Sequence, residues 1–507
     1  MRNFFLSILT LFCLCILPFA CKSIDKNTAQ KPNIVFIFTD DMTYDAINAL
    51  GNQNIITPAI DRLVANGTTF THAYNMGAWS GAVCAASRAM LNSGRTVWDV
   101  NAFRKNWIKH KDLDKTWGKL MQSGGYDTYM TGKWHVDALA DSVFQNVVHV
   151  RPGMPNDAWD HASMVENFKH IEGTNSDPAS LMPIGYNRPL NETDTMWSPS
   201  EKRFEGYWKG GKHWSEVLRD DAIAFIDKAE KKDNPFFMYL AFNAPHDPRQ
   251  SPQKYLDMYP LENISLPKNW LPENPYKDGM GCGPNVRDEA LAPFPRTEYA
   301  TKTHIKEYYA LITHLDEQIG ALMTRLEATG KMDNTYIIFT SDHGLAVGKH
   351  GLIGKQSQYD HSIRAPFIIL GPNITKGKRI NKDIYIQDAM ATALDIAGIK
   401  KPDYVFFNSI LPLAEGEQEN SHYNAIYNGY RDLQRMIRTN GYKLIVYPKI
   451  EKVLLFNLEE DPDEMNDLSH EEAYRLKTKS MFKELMVLQR TMNDTLNLNP
   501  IFNKLPE

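Results

Sequence analysis

The sequence predicts an α/β fold, with helices flanking a central, mostly parallel β-sheet. Three observations lead there. Four apolar runs (34–38, 236–242, 336–339 and 367–370) are continuous rather than alternating, as in strands buried on both faces. Segments of helical period lie between them, and alternation of strand and helix marks layered α/β proteins. Polar and charged residues follow most of the runs directly, at the strand ends where open α/β sheets bind ligands.

At the N-terminus, Arg2 precedes an almost wholly apolar stretch, Phe4 to Phe19, that ends at Ala20-Cys21. This reads as an export signal over 1–21, and it is short for a membrane-spanning helix. Leu17-Pro18-Phe19-Ala20-Cys21 resembles a loose bacterial lipobox, with Cys21 as lipid acceptor. The expected location is therefore the periplasm or the outer membrane, as a lipoprotein attached through Cys21. Residues 22–31 are polar and read as a tether. A catalytic domain is expected over 32–375 and a smaller α+β subdomain over 376–507.

The first run ends in Thr39-Asp40-Asp41. Thr57 and Pro58 supply an N-cap and a Pro at N1 for a helix that Gly67 closes. Cys84 sits among small residues, ahead of a periodic stretch ending at Gly94, which suits a helix C-cap. A weaker strand, 128–130, leads into Gly132-Lys133-Trp134-His135. Residues 216–231 and 305–329 read as long amphipathic helices, the second closed by Gly330. The run at 236 leads into Asn243-Ala244-Pro245-His246, and the run at 336 into Ser341-Asp342-His343-Gly344. After Leu370 the character changes. A helix is expected over 384–397, a hairpin from 442–447 and 453–458, and an amphipathic helix over 470–492. Residues 145–215 and 248–300 lack clear periodicity, and loops of that length are usually functional.

Composition narrows the function. Across 507 residues the hydrophobic fraction is 43% and the charged fraction 23%, ordinary for a globular protein. A net charge of −5 argues against a nucleic-acid binder. An anionic substrate stays open, because local charge decides that. Of five cysteines, Cys13, Cys15 and Cys21 lie in or beside the apolar leader. Cys84 and Cys282 remain, so no disulfide framework is expected. A bond between them would consume the candidate nucleophile.

Asp40, Asp41 and Asp342 are carboxylates at strand ends, and a divalent cation is the simple remedy for their mutual repulsion. Arg88, Lys133, His135, His246 and Lys355 form a basic set. Taken singly, a His is most often a satisfied polar residue and an Asp pair a solvated turn. Four strand ends delivering such groups in order is the stronger signal. Cys84 at a helix mouth, with Arg88 four residues on, sits in a field that favours a thiolate or a bound anion.

Cys84-Ala85-Ala86-Ser87-Arg88 resembles the signature of the type I sulfatases, although many members carry Pro where this chain has Ala86. The stretches 350–355 and 359–366 and the run Glu459 to Leu468 are also family-like, so the resemblance spans roughly 32–470. It implies an alkaline-phosphatase-like α/β core and hydrolysis of a sulfate ester. It implies that a maturation enzyme converts Cys84 to formylglycine, whose hydrated aldehyde attacks sulfur. It implies one Ca²⁺, with Mg²⁺ less favoured, held by Asp40, Asp41, Cys84, Asp342 and His343. Many members have Asn where His343 stands. By the same analogy His246 and Lys355 serve the leaving group and His135 handles the nucleophile. Arg88 and Lys133 would hold formylglycine and sulfate. The expected substrate is a sulfated carbohydrate, with Trp197, Trp208, Arg249 and Arg296 as candidate sugar contacts in the long loops. Two alternatives stand beside this reading: a phosphonate or phosphate ester hydrolase on the same fold, and a non-catalytic glycan-binding surface lipoprotein.

Overall fold

The computed structural model describes residues 31–155, 166–167, 169–170, 174 and 184–505. The export signal over 1–21, Cys21 and almost all of the tether lie outside the described residues. Among the described residues, thirteen strands form two sheets. The larger has eight strands in the order β5-β4-β6-β1-β7-β8-β2-β9. Its members are β1 (Asn33–Thr39), β2 (Thr68–Tyr74), β4 (Asp127–Lys133), β5 (Asn146–Arg151), β6 (Phe236–Ala241), β7 (Thr335–Ser341), β8 (Arg364–Leu370) and β9 (Lys378–Tyr385). From β5 through β7 the neighbours run parallel.

The continuous apolar runs are explained by β1 and β7. Alternate residues of a strand point to opposite faces. Ile34, Phe36 and Phe38 enter one core, while Val35 and Ile37 enter another on the far face. Tyr336 and Ile338 likewise join the first core, and Ile337 and Phe339 the second. The run at 367–370 corrects the parallel expectation. It becomes β8, which is antiparallel to both β7 and β2. Continuous hydrophobicity reports burial on both faces, and direction is set by the connection.

Six helices support the sheets and the site: α1 (Pro58–Asn66), α2 (Val83–Ser93), α3 (Trp214–Glu230), α4 (Glu298–Ala328), α5 (Asp388–Ile396) and α6 (Arg475–Thr491). α1, α3 and α4 cover one face of the large sheet; α2 and α5 cover the other. Gly94 caps α2 in the left-handed region, at φ 68°, with its N–H donating to the Met90 carbonyl at 2.8 Å. Thr57 does occupy the N-cap position of α1, but its side chain makes no cap hydrogen bond. The free N–H groups of Ala59 and Ile60 donate instead to Asp316 of α4, at 3.0 and 2.7 Å. The cap comes from a helix distant in sequence, so the local residues could not reveal it.

The second sheet has the order β13-β12-β11-β10-β3. It joins β10 (Ile426–Tyr430), β11 (Gln434–Thr439), β12 (Tyr442–Tyr447) and β13 (Lys452–Asn457) to the short β3 (Gly77–Ala78). The expected hairpin is β12 and β13, antiparallel in the register Tyr442↔Asn457 to Tyr447↔Lys452. The helix expected at 384 starts later, because β9 runs to Tyr385. Residues 376–507 thus contribute β9 to the large sheet and β10–β13 to the small one. One apolar core runs between them, and residues 32–507 form a single compact unit.

Gly132 shows how backbone constraints place the site. Its φ is 94°, and an added Cβ would point into the Ala241 carbonyl and lie 2.6 Å from Leu218 Cδ1. The parallel pairing of β4 with β6 therefore requires glycine just before Lys133. Gly132→Ala is expected to destabilise the fold by about 2 kcal/mol or more. The check is a shift of the urea unfolding midpoint; an unshifted midpoint would contradict the argument.

Candidate active site

Strands β4, β6, β1 and β7 lie side by side and parallel, so their carboxyl ends open onto one edge. β1 delivers Asp40 and Asp41, and β7 delivers Asp342 and His343. β4 delivers Lys133 and His135, and β6 delivers His246. Cys84 enters on the first turn of α2, and Lys355 comes from the loop between β7 and β8. All of the predicted site residues thus converge. Cys84, His246 and Lys355 are each 4% exposed, and Arg88, Lys133, Asp40, Asp342 and His343 are fully buried.

Asp41 and His135 hold left-handed backbones at φ 68° and 51°. Such conformations persist in non-glycine residues only where the surroundings enforce them. At Asp41 the enforcing contacts are clear. Its N–H donates to Asp342 Oδ1 at 3.2 Å, and its carbonyl accepts the Tyr308 hydroxyl at 2.7 Å.

Three cations meet the three carboxylates. Arg88 donates from Nε to Asp342 at 3.0 Å and from Nη1 to the Lys133 carbonyl at 2.9 Å. Lys133 pairs with Asp40. Lys355 lies 2.9 Å from both oxygens of Asp41. Burial opposes the charge on Asp40, yet Lys133, then His246 and Arg88, hold its carboxyl well below the usual range. Burial and then the Asp40 charge push Asp342 up to about 7. Burial would lower His343, but Asp342 and Asp41 raise it to about 9. Burial alone would raise the Cys84 thiol. Lys133, Lys355 and hydrogen bonds from His135 and His246 bring it well below its ordinary value.

These groups suit a metal. Asp40, Cys84, Asp342 and His343 offer ligand atoms within 4.8 Å of one another, as do Asp40, Asp41 and His246. Asp40 Oδ1 and His343 Nε2 are buried without a hydrogen-bond partner. His343 Nδ1 donates to the Gly344 carbonyl at 2.9 Å. In the neutral ring this leaves the Nε2 lone pair facing Asp41 at 3.3 Å and Asp342 at 3.5 Å. Burial and the Asp40 charge raise Asp342, and against burial the charges of Asp342 and Asp41 raise His343, the direction that crowded carboxylates give. A divalent cation would offset that crowding, and three carboxylates with one imidazole are a workable ligand set for it.

A cavity of about 530 Å³ opens over Cys84, His135, His246 and Lys355. A larger one, about 720 Å³, touches none of the predicted residues. Two of its arginines are paired with carboxylates, Arg438 with Asp383 at 3.0 Å and Arg364 with Asp360 at 3.6 Å. Arg88 and Lys133 do not line the active cavity. Their charged ends lie behind Cys84, against the carboxylates.

Sequence reasoning missed Asp247, Arg287, Asp288 and Gln356. Arg287 forks onto Asp247 at 2.5 to 2.9 Å. Asp247 in turn holds His246, whose Nδ1 donates to its carbonyl at 2.7 Å and lies 3.3 Å from its carboxylate. Asp288 accepts from Gln356 Nε2 at 2.7 Å and lies 3.7 Å from Lys355. Nothing in the composition of the 248–300 loop separates Arg287 and Asp288 from their neighbours, while Asp247 and Gln356 directly follow His246 and Lys355. The expected sugar contacts need correction. Arg249 is buried against His304 at 2.6 Å. Arg296 is buried on Glu289 and the carbonyl of Ala292 at 2.6 Å. Trp197 and Trp208 are buried too. None of the four lines the cavity; they fasten loops whose other residues, 152–154 and 285–288, form its wall. Cys84 and Cys282 are both free thiols.

The ligand set yields a direct test. Active protein is expected to hold about one divalent cation per chain. Asp342→Asn should lose it and lower kcat by roughly a hundredfold or more. Elemental analysis with steady-state kinetics checks this; full metal content and activity in the variant would contradict it.

Comparison with known proteins identifies the family. The family model described as sulfatase matches residues 32–399. A second, for the C-terminal region of N-sulphoglucosamine sulphohydrolase, matches 348–491. An N-acetylglucosamine-6-O-sulfatase of Bacteroides thetaiotaomicron is 25% identical, with 94% of this chain and 89% of that protein covered. An ulvan-active sulfatase of Formosa agariphila is 28% identical, with 89% and 80% covered. A structure solved in complex with its substrate D-glucosamine-2-N,6-O-disulfate superposes with a TM-score of 0.68 at 23% identity, covering 93% of this chain and 99% of that one. At that identity the structural likeness speaks for the fold, while the family model spans the large sheet's core strands and every predicted site residue. Because that model matches well over half of the chain, the chain belongs to the sulfatase family of the alkaline-phosphatase-like superfamily.

Proposed function

We propose that the protein hydrolyses sulfate esters of sulfated carbohydrates, with residue 84 as nucleophile after conversion of Cys84 to formylglycine. Cys84 itself carries the reading. It is a buried thiol on the first turn of a helix, it lines a cavity, and it is drawn toward the anionic form by Lys133, Lys355, His135 and His246. After conversion by a formylglycine-generating enzyme, this position would supply a hydrated aldehyde as the nucleophile toward sulfur. One Ca²⁺, favoured over Mg²⁺ for its tolerance of irregular coordination, would be held by Asp40, Asp41, Asp342, His343 and residue 84, and would offset charge on the sulfuryl oxygens.

The chain's own residues divide the remaining work. Lys355 and His246 line the cavity beside Cys84, where a leaving alkoxide needs a cation and a proton. His246 has Nδ1 tied to the Asp247 carbonyl, so Nε2 is the atom free to exchange that proton. His135 is positioned to take the proton from the residue 84 hydroxyl. Lys133 and Arg88 hold Asp40 ionised, Arg88 pairs with Asp342, and both cations extend the positive field to residue 84.

The names of the relatives favour a carbohydrate ester. A cavity of about 530 Å³ suits a ligand of sugar size. A phosphate monoester carries nearly one more negative charge and is better served by a second metal or further arginines. This disfavours the phosphate-monoester reading; a phosphonate monoester carries a single charge, as a sulfate ester does, and against it stand the sulfatase family model and the names of the relatives. The complete set of acids, bases and cations disfavours a non-catalytic glycan binder. Export, with attachment through a lipidated Cys21 in the periplasm or outer membrane, is part of the same reading. Its support is Arg2 and the apolar Phe4 to Phe19. Among the described residues no helix is long and apolar enough to cross a membrane.

Two measurements test the reading. Mass spectrometry of the peptide spanning Cys84, from protein made with a maturation system, should show an aldehyde in place of the thiol. Full activity with an intact thiol would refute the modification. Specificity constants for a panel of sulfated oligosaccharides should exceed those for an aryl sulfate and an aryl phosphate. If the phosphate wins, hydrolysis of sulfate esters is the wrong assignment.

A further inference from the structure

Three permanently charged cations line the cavity over Cys84: Lys355, Arg287 and Arg431. Two are neutralised. Lys355 lies 2.9 Å from Asp41 and 3.7 Å from Asp288. Arg287 lies 2.5 Å from Asp247 and 3.2 Å from Asp288. The third differs. Among the described residues no carboxylate forms an ion pair with Arg431. Its neighbour Asp432 is held by Lys449 at 2.7 Å. The Arg431 side chain is exposed at the cavity, and its polar contact is with the hydroxyl of Tyr430.

The backbone beneath this free head is firmly held. Arg431 opens the turn between β10 and β11 with φ 47°, a conformation that costs a non-glycine residue free energy and tends to occur at functional sites. Its N–H donates to the Ala78 carbonyl at 2.9 Å, and its carbonyl accepts from Arg435 Nη1 at 2.7 Å. Tyr430 pairs in register with Ala78 on β3 and packs with Val83 and Ala86 of α2. The turn is thereby fastened to the segment that carries Cys84. A guanidinium on a fixed base, unpaired, in a cavity already built for an oxyanion, loses little freedom on taking a second one.

We propose that Arg431 is a specificity-determining residue that recognises a second anionic group on the saccharide whose sulfate ester is cleaved. The preferred substrate is then multiply charged. This rests on the sulfatase reading. The second group is a sulfate or a carboxylate, since both match the guanidinium fork.

The test uses Cys84→Ala protein, with and without Arg431→Ala or Arg431→Lys, and binding by calorimetry. Three probes are compared: N-acetylglucosamine 6-sulfate, its N-sulfated counterpart, and 6-sulfated N-acetylglucosamine joined to a uronic acid. Arg431→Ala should weaken binding of at least one doubly charged probe about tenfold more than that of the singly charged one. Which probe responds identifies the second group. Arg431→Lys should keep part of the preference, and added salt should reduce it. Equal weakening of all three probes, no weakening, or no binding of any probe to the Cys84→Ala protein overturns the proposal. Turnover by mature wild-type enzyme is read separately. Selective weakening without sulfate release would sink the hydrolytic assignment and leave the Arg431 site standing; sulfate release with equal weakening would do the reverse.

Discussion

Asp40, Asp41 and Asp342 are buried at the ends of two adjacent strands, and the surrounding architecture is organised by that burial. β1 and β7 pair in parallel from Asn33↔Thr335 to Thr39↔Ser341, so their next residues must meet. Charges taken out of water are costly unless each is paired. The fold supplies a cation from each of three other elements: Arg88 from α2, Lys133 from β4 and Lys355 from the loop after β7. Removing one partner from a buried pair of this kind typically costs about 3–5 kcal/mol. Helix, strand and loop are therefore bound to one another through the site.

The same arrangement prepares the chemistry. Three carboxylates and three fixed cations cancel, so the balance is set by what else enters. The imidazole of His343, aimed at Asp41 and Asp342 with its other nitrogen on a carbonyl, makes the cluster receptive to a proton or a metal. Cys84 sits at the border between this ionic interior and the cavity, near the cations that face outward. A group that must carry developing negative charge at position 84 finds its stabilising partners already oriented, which is where electrostatic catalysis gains most.

The small sheet finishes the cavity. β3 is two residues long, yet it pairs with β10 and places the turn that bears Arg431 against the lead into α2. Gly77 allows this contact, because an added Cβ there would strike the Gly429 carbonyl. The 248–300 loop closes another side, with Arg287 and Asp288 facing inward and Arg249 and Arg296 buried as fasteners. Lining and support of the cavity thus fall to arginines of one loop that are alike in sequence.

Local physics and motifs were legible in the linear chain. The apolar runs identified strands β1, β6 and β7, and the polar groups after them identified the site, because strand burial and strand ends are written in neighbouring residues. Cys84, Arg88, Lys133, His135, His246, Lys355 and the carboxylates could be read for that reason, helped by a family signature. Long-range packing settled the rest. It set the antiparallel direction of β8, since burial looks the same either way. It gave the α1 cap to Asp316, since a helix end accepts any carboxylate that reaches it. It sorted Arg287 and Arg431 from Arg249 and Arg296, since a guanidinium binds a carbonyl, a carboxylate or a substrate with the same fork, and only its position in space chooses among them.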